Sequence, residues 1–328
     1  LITVYKCINQ KITPVGGLDH VSPHEDNFWI DLHEPTAEED RLVENFLNLN
    51  VPTREDMREI ESSSRLYNED GAEFMTVIAV AKLHLDDPTK TEVTFILTPR
   101  CLVTVRYADL LSFTHYKEGM KKKDAPACSN AEDIMFDIIE SMIDRIADSL
   151  ETLGDEIDTL SAQIFRHRKV TVKSKTDMLE AAIQRIGVKG DLLSMLRESL
   201  ATISRLMSHH NPDLVEEAKF TKASRTRMGM LGRDVLSLND HAAFMSTKIN
   251  FLLDATLGMI NLEQNQIIKI FSIAAVMFLP PTLVASVYGM NFHDMPELDW
   301  RFGYPLALLA MVISGTLPVL YFKKKGWL

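Results

Sequence analysis

The chain has 328 residues, with 46 acids against 35 bases and a formal net charge of −11. An acidic balance excludes nucleic acid as the partner, because neutralising phosphates takes basic patches. Three cysteines without paired spacing, Cys7, Cys101 and Cys128, exclude a disulfide framework and read as free thiols in a reducing compartment. The charge is unevenly spread: residues 1–265 hold 43 acids and 30 bases, and residues 266–328 hold 3 acids and 5 bases. The chain does not open on a basic start followed by an apolar core, so no signal peptide is expected and the acidic part is expected to stay in the cytoplasm.

In chain order, strand-like runs occupy 2–8, 27–32, 74–85, 92–97 and 101–106, the last two joined by a Thr98-Pro99-Arg100 hairpin signal. Helical patterns fall between them at 37–49, opened by Pro35-Thr36, and at 54–63. The alternation predicts a sheet covered by helices over residues 1–130. From Ala131 the pattern changes. Ile134, Ile138, Met142, Ile146, Leu150, Leu153, Ile157, Leu160 and Ile164 recur at helical spacing. The acids among them, such as Glu132, Asp133, Asp137, Glu140, Asp144 and Asp148, read as a solvated face. A second helix over about 175–209 ends at His210-Asn211-Pro212, so 131–211 forms an antiparallel helical pair. His209 and His210 read as capping or surface residues rather than metal ligands.

Beyond Pro212 no proline occurs before Pro280. Leu231, Val235, Leu238, Ala242, Met245, Ile249 and Leu252 keep a coiled-coil-like spacing within one long helix over 213–292. At 1.5 Å per residue such a helix reaches on the order of 100 Å; a core helix of a soluble bundle is the alternative. A second stripe with its own phase follows: Asp254, Asn261, Asn265, Ile268, Ser272, Ala275, Leu279, Thr282 and Ser286. Its polar members keep recurring where charge disappears, since 270–292 and 302–322 contain no Asp, Glu, Lys or Arg. Each run is long enough to cross a hydrocarbon core of about 30 Å. Lys269 before the first run and Lys323, Lys324 and Lys325 after the second place both termini in the cytoplasm, with the acidic 293–301 connection outside. Polar side chains at membrane depth face other helices or a water path. A two-helix hairpin encloses no pore alone, so conduction would need a symmetric ring of subunits.

The connection carries a recognisable pattern. Tyr288-Gly289-Met290-Asn291 is followed by Met295-Pro296-Glu297-Leu298 and Trp300, then by Gly303-Tyr304-Pro305 and a closing Lys323-Lys324-Lys325-Gly326-Trp327-Leu328. With Glu263-Gln264-Asn265 and Leu279-Pro280-Pro281-Thr282 upstream, residues 250–328 closely resemble the CorA family of divalent-cation channels. The resemblance implies a funnel-shaped homopentamer in a bacterial inner membrane. Each subunit would have a cytoplasmic α/β/α domain, a stalk helix continuing into a pore-lining first span, and an outer second span. It implies Mg²⁺ as substrate and regulatory ligand, often with Co²⁺ and Ni²⁺ also carried, and no organic cofactor. Gly289, Met290 and Asn291, preceded by Tyr288, would form the external entrance. Asn265, Leu279 and Thr282 would line the pore, with Asp254 at its cytoplasmic end.

Elementary chemistry agrees. Mg²⁺ gives up its water shell reluctantly, so an entry site should hydrogen-bond those waters, as a ring of Asn291 amides would. Asp294, Glu297 and Asp299 would gather cations. Leu279 with Ile268 or Phe271 would form an apolar constriction that gates by dewetting. His293 stands where the family has an acid. For regulation, Asp86 and Asp87 lie between strands, and Asp234 is the nearest stalk acid that could face them; the position matching the family's own sensor acid falls near Met230. Two other readings compete: a zinc transporter of the same superfamily, which would favour Cys and His ligands, of which only His293 stands at the pore mouth, and a non-conducting membrane-anchored coiled-coil scaffold. No phosphate loop, zinc-binding His pair or nucleophile elbow points to an enzyme.

Overall fold

A computed structural model describes residues 1–8, 11–22, 25–83, 87–121, 128, 130–165, 172–210, 222–290, 295 and 300–326. Among these, β1 (Ile2–Ile8), β2 (Lys11–Gly16), β3 (Phe28–His33), β4 (Leu66–Glu69), β5 (Ala72–Ala81), β6 (Thr89–Leu97) and β7 (Cys101–Arg106) form one sheet, ordered β2-β1-β3-β7-β6-β5-β4. Helices α1 (Ala37–Leu47), α2 (Arg54–Met57) and α3 (Ser62–Arg65) lie between β3 and β4 in the chain. After the sheet come α4 (Leu111–Gly119), α5 (Ala131–Phe165), α6 (Val172–His209), α7 (Lys222–Tyr288) and α8 (Gly303–Lys324). By their contacts the described residues form two compact units, 1–165 with 184–252 and 166–183 with 253–328.

The central strands of the sheet are buried on both faces. Along β3, Phe28, Ile30 and Leu32 join a core that includes Val43 of α1 and Met57 of α2. Trp29 and Asp31 point the other way: the Trp29 ring stands 6.2 Å from Phe113 and 5.8 Å from Tyr116 of α4. β7 repeats the alternation, with Cys101, Val103 and Val105 in the first core. This period of two gives near-continuous apolar runs where a strand is covered on both sides, producing a three-layer α/β/α arrangement. Pairing is antiparallel throughout except between β3 and β7.

That parallel pair carries a buried charge network. Arg106 donates to both carboxylate oxygens of Asp31, from Nε at 3.1 Å and Nη2 at 2.9 Å. Lys117 of α4 adds a third contact at 2.6 Å, and Thr104 a fourth at 2.9 Å. Burial alone would push the Asp31 carboxyl up, but Arg106 and Lys117 together outweigh it and hold the group below the usual carboxylate range. Breaking such a pair from one side typically costs about 3–5 kcal/mol, so the contact fixes α4 onto the sheet.

Local chemistry explains where the sequence expectation and the helices diverge. Thr36 and Glu39 form a reciprocal capping box that opens α1, and Asn48 at φ 54° closes it before residue 49. The helix expected over 54–63 is two short helices, the first opened by a second capping box between Thr53 and Asp56. β2 and β4 were not expected. Both are edge strands, where Pro14 and the polar run Leu66–Glu69 are tolerated. The strand expected over 74–85 ends at Ala81, with Lys82 at φ 58° immediately after it, and residue 85 lies outside the described residues.

The helical stripe expected on α5 is buried at every position from Ile134 to Ile164. α7 runs beside α5 in the same direction. Arg227 meets Asp137 and Glu140, Lys248 meets Asp158, and the Phe251 ring lies 6.1 Å from Phe165. α6 runs the opposite way, with Lys189 on Glu156 at 2.6 Å and Arg185 on Gln163 at 2.9 Å. Leu231, Val235, Ala242, Met245, Ile249 and Leu252 are buried here, and Leu238 is half-buried. The seam is therefore packed within the chain, as in a soluble bundle, and is not a free coiled-coil face.

His210 corrects a second expectation. It is 2% exposed and not on the surface. Its Nδ1–H donates to Glu73 of β5 at 2.6 Å and its Nε2–H to Glu132 of α5 at 3.1 Å. Ser224 of α7 donates to the other oxygen of Glu132 at 2.7 Å, and the Phe136 ring packs edge-on at 5.8 Å. Burial opposes the charged ring, but the two carboxylates outweigh it and raise the imidazole to about 9. A folded value above the unfolded one, about 6.5, means the contribution is complete below pH 6.5 and is lost as pH rises through about 9. Unfolding free energy of the wild type should therefore fall over that interval by up to roughly 3 kcal/mol more than that of His210→Gln. Denaturant melts at several pH values, compared between the two proteins, measure the difference; parallel profiles would rule it out.

Candidate functional site

The second compact unit holds the two charge-free runs. α8 contains no buried residue, and most large apolar side chains of α7 beyond Ile267 are exposed, among them Ile270, Phe278 and Leu283. A core helix of a soluble protein would bury such residues, so the reading of these runs as membrane spans holds.

α7 remains helical through Pro280 and Pro281. Neither proline has an N–H, so the carbonyls of Val276 and Met277 lose their partners four residues on. α8 approaches closely here: a methyl group on Gly315 would stand 3.2 Å from Cγ of Pro281 and 3.4 Å from the Met277 carbonyl oxygen. This contact, with the buried Thr256, Glu263 and Ile273, marks one side of α7.

The polar stripe occupies the other side. At about 100° per residue, Asp254, Asn261, Asn265, Ile268, Ser272, Ala275, Leu279, Thr282 and Ser286 centre roughly half a turn from Met277 and Pro281, and all nine are exposed. Phe271 is exposed too but sits at the edge of the stripe. Two hydroxyls have defined partners. Ser272 Oγ donates to the Ile268 carbonyl at 2.8 Å and Thr282 Oγ1 to the Phe278 carbonyl at 2.7 Å. Each hydroxyl uses its one proton on its own helix and keeps its lone pairs as acceptors.

At the end of α7, Gly289 N–H donates to the Ala285 carbonyl at 3.0 Å. A methyl group on Gly289 would stand 3.1 Å from that oxygen. Gly289 is not among the residues with positive φ, so what a side chain would meet here is a tight approach to that carbonyl and not backbone strain. Tyr288 and Met290 are exposed beside it. Asn291, His293, Asp294, Glu297 and Asp299 lie outside the described residues, as does Asp86. Lys323, Lys324 and Lys325 are exposed at the end of α8, with the Lys325 ammonium 5.6 Å from the centre of the Tyr321 ring.

In the first unit Asp87 is exposed between β5 and β6, and Asp234 is exposed on α7. Asp234 faces α5. Burial first, then Glu140, Asp148 and Asp234, push the Asp144 carboxyl above its ordinary value. Sequence reasoning treated those α5 acids as solvated and missed this crowding, because the parallel alignment of α5 and α7 is not visible in either helix alone. Among the described residues no group of three or more His, Cys, Asp or Glu side chains is placed to hold a metal ion. Gly315 was also missed; its only sequence signal is a glycine in the middle of an apolar helix.

An α/β/α domain, a long helix that ends in the first of two charge-free runs, and a polar stripe on the face that the second run leaves open fit a two-pass membrane protein of the transporter class. The family described as CorA-like Mg²⁺ transporter protein matches residues 24–324, and the chain belongs to it. A magnesium transport protein CorA from Yersinia pseudotuberculosis is 33% identical over 329 residues, covering 100% of both chains. Its counterpart from Escherichia coli K12 is 32% identical over 328 residues, again covering 100% of both. The complete structure of a CorA magnesium transporter from Methanocaldococcus jannaschii has the same fold, with a TM-score of 0.79 at 19% identity over 100% of this chain and 99% of that one. The family read from Tyr288-Gly289-Met290-Asn291 and its flanks is borne out.

Proposed function

We propose that this protein carries Mg²⁺ down its electrochemical gradient into the cell, as a homopentamer whose α7 helices surround the path. The stripe from Asp254 to Ser286 on the side of α7 opposite Gly315 and Pro281 carries the reading. Its polar groups at membrane depth, Ser272, Thr282 and Ser286, are unfavourable against lipid, and five copies turned inward would remove them from it. Full-length similarity to proteins named for magnesium transport supports the choice of ion.

In this reading Gly289, Met290 and Asn291 form the outer entrance, and the Asn291 amides accept hydrogen bonds from the waters of a hydrated ion. Asp294, Glu297 and Asp299 raise the local cation concentration outside. Acceptor oxygens of Ser272 and Thr282 and the amides of Asn261 and Asn265 guide the hydrated ion past the Leu279 constriction, and Asp254 receives it. The membrane potential supplies the force: a divalent ion gains roughly 4.6 kcal/mol per 100 mV moving inward. In this reading the protein acts as a conduit for the ion. Lys269 and Lys323 to Lys325 keep both termini in the cytoplasm of a bacterial inner membrane.

Cytoplasmic Mg²⁺ closes the path by neutralising acids between subunits, with Asp86 and Asp87 of one copy and Asp234 of the next as candidates. The crowding of Asp234 with Asp144 favours a bound cation on that helix face.

Proteoliposomes under an inside-negative potential test the transport. Wild-type protein should admit Mg²⁺, and Asn291→Ala should lower the rate at least about tenfold, since each lost acceptor weakens the hydrated ion by about 1 kcal/mol. The assembly should stay intact by size-exclusion chromatography; uptake at the wild-type rate would remove Asn291 from the entrance. Competition among Mg²⁺, Co²⁺, Ni²⁺ and Zn²⁺ in the same assay ranks the ions. For closure, limited proteolysis of the assembled protein should slow when Mg²⁺ is added. Substituting Asp87→Asn with Asp234→Asn should abolish the difference, and an undiminished Mg²⁺ effect in that variant would place the sensor elsewhere.

A further inference from the structure

Glycine in the interior of a helix is less favourable than alanine by about 1 kcal/mol, and Gly315 lies well inside α8, where no turn or left-handed backbone asks for it. What it does have is a neighbour. A side chain at this position would meet the ring of Pro281 and the carbonyl of Met277, at 3.2 Å and 3.4 Å from its first carbon. Both are rigid, one a pyrrolidine ring and the other main chain, so neither can swing aside. The Met277 carbonyl is also one of the two that lost a donor to the prolines, and in hydrocarbon such a group needs cover. Glycine lets α8 lie against it without crowding.

The other end of this contact is the stripe. Met277 and Pro281 face α8, while Leu279, between them in sequence, and Thr282 lie on the opposite side of the same turns. Any displacement of α7 away from α8 at the Pro280–Pro281 step therefore carries Leu279 in the direction the stripe faces. We propose that Gly315 is a positioning residue: its close seat against Pro281 and Met277 sets how far the Leu279 constriction stands back from the ion path. This inference rests on the reading of the stripe as a pore lining.

Filling the seat narrows the constriction. Gly315→Ala should reduce Mg²⁺ uptake in proteoliposomes and Gly315→Leu should reduce it further, by about tenfold or more, the scale of an overpacked contact. Pro281→Ala removes the ring and restores an N–H for the Met277 carbonyl, so Gly315→Ala combined with Pro281→Ala should recover most of the uptake lost in Gly315→Ala alone. A merely structural role would move assembly and melting temperature without this rescue, so both are measured alongside; if Gly315→Leu does not assemble, the alanine pair decides. Wild-type uptake in Gly315→Ala and Gly315→Leu would overturn the proposal, as would loss of uptake that Pro281→Ala leaves uncorrected. Absence of uptake by the wild type would instead overturn the pore reading beneath it, and this proposal with it.

Discussion

Hydrocarbon offers no hydrogen bonds, and that constraint organises the C-terminal unit. Every polar atom of α7 beyond Lys269 must be satisfied by its own helix, by α8 or by something that is not lipid. α8 can serve only the side carrying Met277 and Pro281, where Gly315 lets the two helices approach. The opposite side keeps Ser272, Thr282 and Ser286 in line with Asn261 and Asn265. In the proposed assembly, neighbouring copies would supply the face that these residues lack.

The first compact unit is held by charges placed where they cannot be lost cheaply. Asp31 with Arg106 and Lys117 pins α4 to the centre of the sheet. His210 joins β5 to α5, and through Glu132 to Ser224 at the start of α7. α5 and α7 then lie parallel, attracted at Arg227 and Lys248 and repelled between Asp144 and Asp234. Residues of α7 belong to both compact units.

Much of this was legible in the sequence because the strongest signals are local. The bounds of β1 and β7 follow from apolar runs that end at turn residues, and the α5 stripe follows from spacing alone. Charge-free length located the spans, and the polar stripe could be read because seven-residue steps keep residues on one helix face. The misses have a common cause. β2 and β4 are edge strands whose polar residues and proline resemble loops until a neighbour is known. The α7 seam looks the same whether its partner is another chain or α5 and α6 of this one. His210 and Gly315 owe their roles to residues more than thirty positions away, and no window along the chain contains both members of either contact.

The orientation of two hydroxyls has a consequence for selectivity by sign. Ser272 and Thr282 each direct their only proton to a carbonyl one turn back. What they present on the open face is lone-pair density with no donor. A chloride or phosphate meeting such a surface finds nothing to accept from, whereas water molecules around a cation arrive with their hydrogens outward and find acceptors. Under the proposed pore reading, anions are turned away in the low-dielectric part of the path without a fixed negative charge there, and so without the deep well in which such a charge would hold a divalent ion.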